Sequence, residues 1–145
     1  MINFVLPVPP STNSLFRNVP GRGRVKSKKY NDFIINALNE LHRQKIKAIN
    51  GNVIVVMGLE RASRRSDVDN RIKALLDVIV KAAIIRDDRY VTALAVAWLP
   101  NISAQAHISV CPASEQIKLL FNPTEADNAT TGTWIFQKRN KNKGK

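Results

Sequence analysis

The chain has few of the residues that covalent cross-links and transition-metal sites require. Its 145 residues include one cysteine and two histidines. The single Cys111 excludes an internal disulfide, and His42 and His107 stand far apart in the sequence. The sequence therefore offers no Cys and His cluster for zinc or another transition metal.

Long apolar runs are also missing. No stretch approaches the roughly 18 to 20 apolar residues that span a bilayer, because Arg, Lys or Pro breaks the longest candidates. Residues 1–5 lack the basic region and apolar run of a signal peptide. Together with the single cysteine, these absences predict a soluble protein of the cytoplasm.

Acidic residues are scarce relative to basic ones. The chain carries 23 Lys and Arg against 11 Asp and Glu, a formal net charge of +12 and a sequence pI near 10.4. Such an excess suggests a polyanionic partner, nucleic acid above all, whose binding would weaken steeply with salt. The alternative is a basic surface that serves only solubility, and charge alone does not decide between the two.

The few acidic residues are concentrated where cations are densest. Residues 64–90 hold five of the 11 acidic side chains, namely Asp67, Asp69, Asp77, Asp87 and Asp88. Because like charges repel, clustered carboxylates persist only where cations or a metal ion hold them. Magnesium suits such a cluster, since it takes oxygen ligands, usually one or two carboxylates completed by water and substrate phosphate. The segment therefore indicates a metal-dependent nuclease.

Hydrophobic periodicity divides the chain into strands and helices. It predicts a strand over 2–6, a mobile basic loop over 11–29, an amphipathic helix over about 29–49 ended by Asn50-Gly51, and a buried strand over 53–59. A second helix should begin near Asp69 or Asn70, with Ile72, Leu75, Leu76, Ile79 and Ala83 on its buried face. Strands over 90–98 and 106–110 should pair with each other. We further expect an edge strand over 117–121 and a loop over 122–132.

Three separated motifs point to one family. They are Pro9-Pro10-Ser11-Thr12-Asn13, the block Arg65-Ser66-Asp67-Val68-Asp69-Asn70 with Lys73, and Asp87-Asp88 before a strand. In order and spacing they resemble the PPSxN, RxDxDN and DD motifs of the RusA family of Holliday junction resolvases, which is common in phages and prophages. Each motif alone is weak evidence, whereas the set is specific.

The resemblance implies a small α+β protein in which a mixed β-sheet packs with two main helices. It implies a homodimer in a bacterial or phage-infected cell, which binds four-way DNA junctions and nicks two opposed strands with Mg²⁺ in recombination and repair, without a membrane or an organic cofactor. We expect a nuclease domain over 1–112. A C-terminal extension over 113–145, with a basic and disordered tail, matches no motif of the family.

The resemblance also implies roles for individual residues. Asp67, Asp69 and Asp88 match the metal-binding carboxylates, and Lys73 matches the active-site lysine. We expect Asp87 to stand behind the metal ligands, because adjacent side chains in extended backbone point to opposite faces. The competing interpretation of Asp67 and Asp69 is that they cap a helix.

Other charged and aromatic residues allow two interpretations each. Phosphate contacts are expected from the basic loop and from the arginines near the acidic cluster, that is, from Arg22, Arg24, Lys26, Arg64, Arg65 and Arg71, although the last three could instead neutralise the carboxylates. For Asp77 we favour a surface ion pair with Lys73 and Lys81 at helical spacing. Phe16 could wedge into an open junction, but we favour packing on the core.

Two other functions fit the same residues. A noncatalytic nucleic-acid-binding protein would use the carboxylates only as partners for arginines and would tolerate Asp69→Asn. A broader branched-DNA or flap nuclease would share every proposed site residue and differ only in the shape of its substrate.

Overall fold

The computed structural model of the chain describes residues 1–60, 66–99, 105–113, 117–123 and 132–138. Its strands and helices are β1 (Ile2–Pro7), β2 (Phe16–Val19), β3 (Gly23–Lys26), α1 (Lys28–Arg43), β4 (Val53–Glu60), α2 (Ile72–Lys81), β5 (Val91–Leu99), β6 (Gln105–Pro112), β7 (Ile117–Pro123) and β8 (Gly132–Lys138). Single 3₁₀ turns occur at Thr12–Ser14, Asp69–Arg71 and Asp88–Tyr90. The chain forms two compact units, Met1–Pro112 and Ala113–Lys145. In the described part of the chain, no helix is long and apolar enough to cross a membrane.

The first unit is built on a four-stranded sheet in the order β1-β6-β4-β5. Strand β4 runs parallel to β5 and antiparallel to β6, and β1 is antiparallel to β6. This mixed sheet with two helices confirms the predicted α+β class. The predicted pairing of β5 with β6 is wrong, because β4 lies between them. As the most buried strand, β4 takes a neighbour on each side, and the α2 crossover delivers β5 parallel to it.

One face of the sheet packs with both helices into a single core. Alternate residues of β4 point into it, and Val53, Val55, Met57 and Leu59 are at most 1% exposed. Helix α1 contributes Tyr30, Phe33, Ile34, Ala37 and Leu41, as its periodicity predicts. Helix α2 buries Ala74, Leu75, Val78 and Ile79, so its predicted face is confirmed at Leu75 and Ile79, whereas Ile72 and Leu76 are only partly buried. Ala83, predicted to be buried, is exposed, because α2 ends at Lys81 and Ala83 adopts a φ of 54°.

Helix α1 ends at Arg43, earlier than the predicted residue 49. The cause is tertiary, since the next side chain, Gln44, bonds the backbone of β1. Its Nε2 donates to the Val5 carbonyl at 2.7 Å, and its Oε1 accepts from the Val5 N–H at 3.0 Å. Lys45 then turns the chain with a φ of 52°. The Ile49 N–H donates to the Ile84 carbonyl at 2.8 Å, which joins the returning segment to the end of α2.

The predicted mobile loop over 11–29 is wrong, because this segment contains the antiparallel hairpin β2–β3. Its turn uses Gly21 and Gly23 at φ of 73° and 67°, where a residue with a Cβ would be strained. The Arg22 N–H closes the turn on the Val19 carbonyl at 3.0 Å. No residue of either strand is fully buried, which explains why the hairpin has no hydrophobic alternation.

The second unit contains an antiparallel pair of strands. The strand predicted over 117–121 is confirmed as β7, which pairs with β8 along its whole length. Most of the loop predicted over 122–132 and the tail predicted to be disordered lie outside the described residues.

Candidate active site

Asp67 and Asp69 lie on a short turn that leads into α2. Both carboxylates are exposed, while Val68 between them packs against the core. The Asn70 side-chain amide donates to Asp67 Oδ2 at 3.1 Å, so the last residue of the motif orients the first carboxylate. Neither the 3₁₀ turn nor α2 has a side-chain capping bond at its start. The capping interpretation of the two aspartates therefore finds no support.

The proline-rich motif is bonded directly to this turn. Thr12 Oγ1 donates to the Asn70 carbonyl at 3.0 Å, and the Arg71 guanidinium donates to the Pro9 carbonyl. Partial burial lowers the pKa of Arg71 from its ordinary value. This contact was not anticipated from the sequence, which predicted phosphate binding for Arg71. Two motifs that are far apart in sequence thus form one bonded unit, and this unit fixes the backbone that carries Asp67 and Asp69.

A third carboxylate, Asp77, is held between the core and Lys73. The Tyr30 hydroxyl donates to Asp77 Oδ2, and Lys73 Nζ lies 3.4 Å from Asp77 Oδ1. The predicted ion pair is therefore present, but it is not only a surface feature, because Tyr30 is completely buried. Burial and the neighbouring carboxylate raise the pKa of Tyr30 well above its ordinary value, which keeps its hydroxyl a donor at neutral pH. Sequence reasoning also missed the connection between Tyr30 and Asp77.

Asp87 and Asp88 stand beside the C-terminal half of α2. Asp87 Oδ1 accepts from the Arg89 N–H at 3.0 Å, and this bond lowers the pKa of Asp87. Asp88 is exposed and begins the third 3₁₀ turn. The two line one cavity of about 290 Å³, together with Lys26, Asp77, Val80 and Lys81. Because Asp87 and Asp88 both line this cavity, the structure does not give them the clearly different positions that the extended-backbone argument predicted. Their individual roles stay predictions.

The β2–β3 hairpin contributes one cation to this cavity and carries two others. Lys26 lines it, with its Nζ 5.8 Å from the centre of the Tyr30 ring. Arg22 and Arg24 are exposed, and the Arg24 guanidinium lies 4.6 Å above the Phe16 ring. Phe16 in turn packs edge-on against Tyr30, at 5.8 Å between ring centres, which supports its packing role over the wedge. Arg64 and Arg65 lie outside the described residues.

The predicted metal ligands fall into two groups at different ends of α2. Asp67 and Asp69 precede the helix, whereas Asp88 lies beside Asp77, Val80 and Lys81. The rise of a helix from position 69 to position 77 is about 12 Å. Among the residues described, no three His, Cys, Asp or Glu side chains form a group that could hold a metal ion. Asp67 and Asp69 thus stand two positions apart before α2, and Asp88 lines a cavity beside the C-terminal half of that helix.

Comparison with known proteins agrees with the motifs. The profile of the family described as endodeoxyribonuclease RusA matches residues 7–111, which include all three motifs and more than two thirds of the chain. No curated protein sequence matches the chain. The family implies Holliday junction endonuclease activity on branched DNA, and its members generally depend on a divalent metal ion. The chain therefore belongs to the RusA family of endodeoxyribonucleases, hydrolases of the phosphodiester bonds of DNA.

Proposed function

We propose that the protein is a Mg²⁺-dependent, homodimeric resolvase that cuts four-way junctions by paired symmetric nicks during DNA recombination and repair. The observation that carries the proposal is the bonded unit of the first two motifs. Bonds of Thr12 and Arg71 join the proline-rich motif to the turn on which Asp67 and Asp69 are both exposed. Backbone fixed in this way gives a metal site the positional accuracy that hydrolysis requires.

Asp67 and Asp69 fit Mg²⁺ as a pair, since this ion is commonly held by one or two carboxylates, with water and phosphate completing the shell. When bound, it supplies a more acidic water and neutralises charge on the phosphate oxygens. Asn70 orients Asp67 through its amide. Lys73, one helical turn after Asp69, places a cation where it stabilises negative charge on the phosphate or the leaving oxygen, and Asp77 limits the directions that its ammonium takes.

Substrate binding rests on the excess of positive charge. Arg22, Arg24 and Lys26 are exposed on the hairpin, and we assign them contacts to DNA phosphates, together with Arg64, Arg65 and Arg71. A dimer with twofold symmetry would present two identical sites, as symmetric cutting of two opposed strands requires. The proposed hydrolysis needs no organic cofactor.

The test is cleavage of a synthetic four-way junction beside linear duplex and flap controls. We expect paired symmetric nicks from the unmodified protein with Mg²⁺, and none with EDTA or in Asp69→Asn. The matched control is Asp32→Asn, which removes the same charge from an exposed position on α1 and should still cut. Asp69→Asn should keep its affinity for the junction, because a carboxylate near phosphates repels them when no metal intervenes.

Other outcomes would support the competing functions. Junction binding without cleavage under every metal condition would establish a noncatalytic binding protein. Cleavage of flaps alone would establish a general branched-DNA nuclease.

A further inference from the structure

One face of the β2–β3 hairpin carries an aromatic ring and two of the hairpin's cations. The strand register pairs Phe16 with Lys26 and Asn18 with Arg24. Residues that oppose each other across an antiparallel pair lie on the same face, and so do residues two positions apart along a strand. Phe16, Arg24 and Lys26 therefore share one face, with Arg24 diagonal to Phe16. A long side chain reaches an aromatic ring across such a diagonal.

The side chains of this face form a stack that ends inside the core. The Arg24 guanidinium lies 4.6 Å from the centre of the Phe16 ring. Phe16 packs edge-on against Tyr30, with 5.8 Å between the ring centres, and Tyr30 is completely buried. Lys26 Nζ lies 5.8 Å from the centre of the same Tyr30 ring. Arg24, Phe16 and Tyr30 form what we call the hairpin stack, which attaches an exposed cation to a side chain that the core holds in place.

The buried tyrosine of the hairpin stack also leads to the proposed active site. Its hydroxyl donates to Asp77 Oδ2, and Asp77 Oδ1 lies 3.4 Å from Lys73 Nζ. Arg24 and Lys73 are therefore both connected to Tyr30, the first through a ring and the second through a carboxylate. Because a close-packed core holds a buried side chain in one position, these connections limit the change in distance between the two cations.

The ring under Arg24 has a consequence for binding. An exposed arginine has many rotamers, and ordering such a side chain on a phosphate costs free energy. A guanidinium over a ring is attracted by the negative charge of the ring face, while its five N–H donors remain in the plane of the group and free to point at a phosphate. Phe16 therefore removes part of this ordering cost before DNA arrives.

We propose that Arg24 and Phe16 form a phosphate subsite at a fixed distance from Lys73, in which Arg24 binds one backbone phosphate of the DNA strand that is cut. Phe16 is the positioning residue that aims the guanidinium. This inference rests on the proposed function and deepens it. A cation aimed at one phosphate fixes the register of the strand on the protein, so the nick falls a set number of nucleotides from the phosphate that Arg24 binds.

Junction titrations in EDTA test the role of Phe16 without cleavage. Phe16→Leu should weaken binding by about 2- to 5-fold, the factor that a cation–ring contact at an exposed site represents. In an Arg24→Gln background the same substitution should bring no further loss, because the cation that Phe16 aims is gone. The matched control background is Arg22→Gln, which removes the same charge from the turn of the hairpin, outside the stack, and in which Phe16→Leu should keep its full effect. Equal losses in the two backgrounds would overturn the proposal, and any effect of Phe16→Leu on folding is common to both.

The salt dependence of binding gives a readout that a merely structural role would not move. Loss of one phosphate contact lowers the magnitude of the slope of log affinity against log salt by about 0.9 on duplex DNA. Phe16→Leu removes no charge, so a structural defect would leave the slope unchanged, whereas a misdirected Arg24 should lower it toward the slope of Arg24→Gln. Phe16→Tyr keeps the ring and should bind with the affinity and the slope of the unmodified protein.

Neutral phosphates locate the subsite on the strand. A single methylphosphonate, in which a methyl group replaces one charged phosphate oxygen, is placed at successive positions counted from the branch point of the junction. With the unmodified protein we expect one position at which this change weakens binding and at which the penalty vanishes in Arg24→Gln. In Phe16→Leu the penalty should shrink at that position or spread to its neighbours. Penalties that are the same in Arg24→Gln at every position would refute the subsite.

These outcomes separate the inference from the function on which it rests. The titrations need no cleavage, so a protein that binds junctions without cutting them would refute the proposed nuclease, and the titrations would still decide the subsite. A protein that cuts junctions, while Phe16→Leu leaves both affinity and salt slope unchanged, would refute the subsite alone.

Discussion

The bond between Tyr30 and Asp77 gives a prediction whose size follows from the structure. Tyr30→Phe removes one oxygen atom, whose hydroxyl donates to Asp77 Oδ2. A hydrogen bond to a charged group contributes about 1.5 to 3 kcal/mol. The Asp77 side chain is 28% exposed, so water replaces part of the lost bond, and Lys73 remains as a partner. We therefore expect the free energy of unfolding to fall by about 1 to 2 kcal/mol, which lowers Tm by about 3 to 7 °C in a protein of this size.

The same variant should weaken cleavage without weakening DNA binding. Asp77 holds the Lys73 ammonium, so a carboxylate that has lost Tyr30 positions that ammonium less well, whereas the buried tyrosine offers no surface to DNA. Urea unfolding gives the first quantity, and single-turnover cleavage with junction titration gives the second.

The matched control is Tyr90→Phe, which removes the same atom from the other tyrosine, whose ring lies beside Arg89. If Tyr30→Phe unfolds at the same urea concentration as the unmodified protein, the bond does not stabilise the fold. If it loses stability but cuts normally, Tyr30 and Asp77 are structural and do not position Lys73.

Two further predictions concern the same region. Because the native structure raises the pKa of Tyr30, the unfolded chain loses this proton first as pH rises, so its contribution to stability is intact below the ordinary tyrosine pKa of about 10 and declines above it. Thermal melts across that range should show a smaller decline in Tyr30→Phe, and equal declines would contradict the assignment. Ser27→Ala should lower the free energy of unfolding by about 1 to 2 kcal/mol, because the Ser27 hydroxyl caps α1 by accepting from the Tyr30 N–H and donates to the Ser14 carbonyl. Urea unfolding measures the change for Ser27→Ala beside the control Ser109→Ala, which breaks an exposed bond to Asn3 and should lower the free energy of unfolding by at most about 0.5 kcal/mol. Equal losses of stability in the two variants would show that the Ser27 cap has no special role.

Local sequence patterns predicted the strands and helices that bury side chains in the core. Strand β4 follows directly from its apolar residues, and helical spacing predicted Leu75 and Ile79 on the buried face of α2, because burial against one core imposes such spacing. Elements outside the core show no such apolar spacing. The β2–β3 hairpin, whose strands contain no buried residue, therefore resembles a loop in sequence. The early end of α1 depends on the bonds of Gln44 to Val5, a contact across 39 positions that no local pattern contains.

Sheet order could not be predicted for a related reason. A short connection between β5 and β6 suggests a hairpin, and nothing in either strand states that another strand intervenes. The apolar character of β4 was visible in the sequence, and a strand of this kind suits an interior position in a sheet. Giving the apolar β4 an interior position would have favoured the observed sheet order over a β5–β6 hairpin.

In the candidate site, too, the sequence predicted the types of residue but not where the fold places them. The motifs predicted which side chains carry the chemistry, but the contacts that hold them join distant positions, Tyr30 with Asp77 across 47 residues and Thr12 with Asn70 across 58. Such pairs depend on the tertiary fold and have no periodicity.

The distance between the second and third motifs has a physical meaning that sequence alone did not disclose. Motifs close in sequence suggest side chains close in space, yet the segment between Asp69 and Asp88 is mostly the ten-residue helix α2, packed into the core through Leu75 and Ile79. A helix is a rigid spacer of about 1.5 Å per residue, so this segment holds the carboxylates apart. The length of α2 therefore sets the distance between the turn with Asp69 and the cavity beside Asp88.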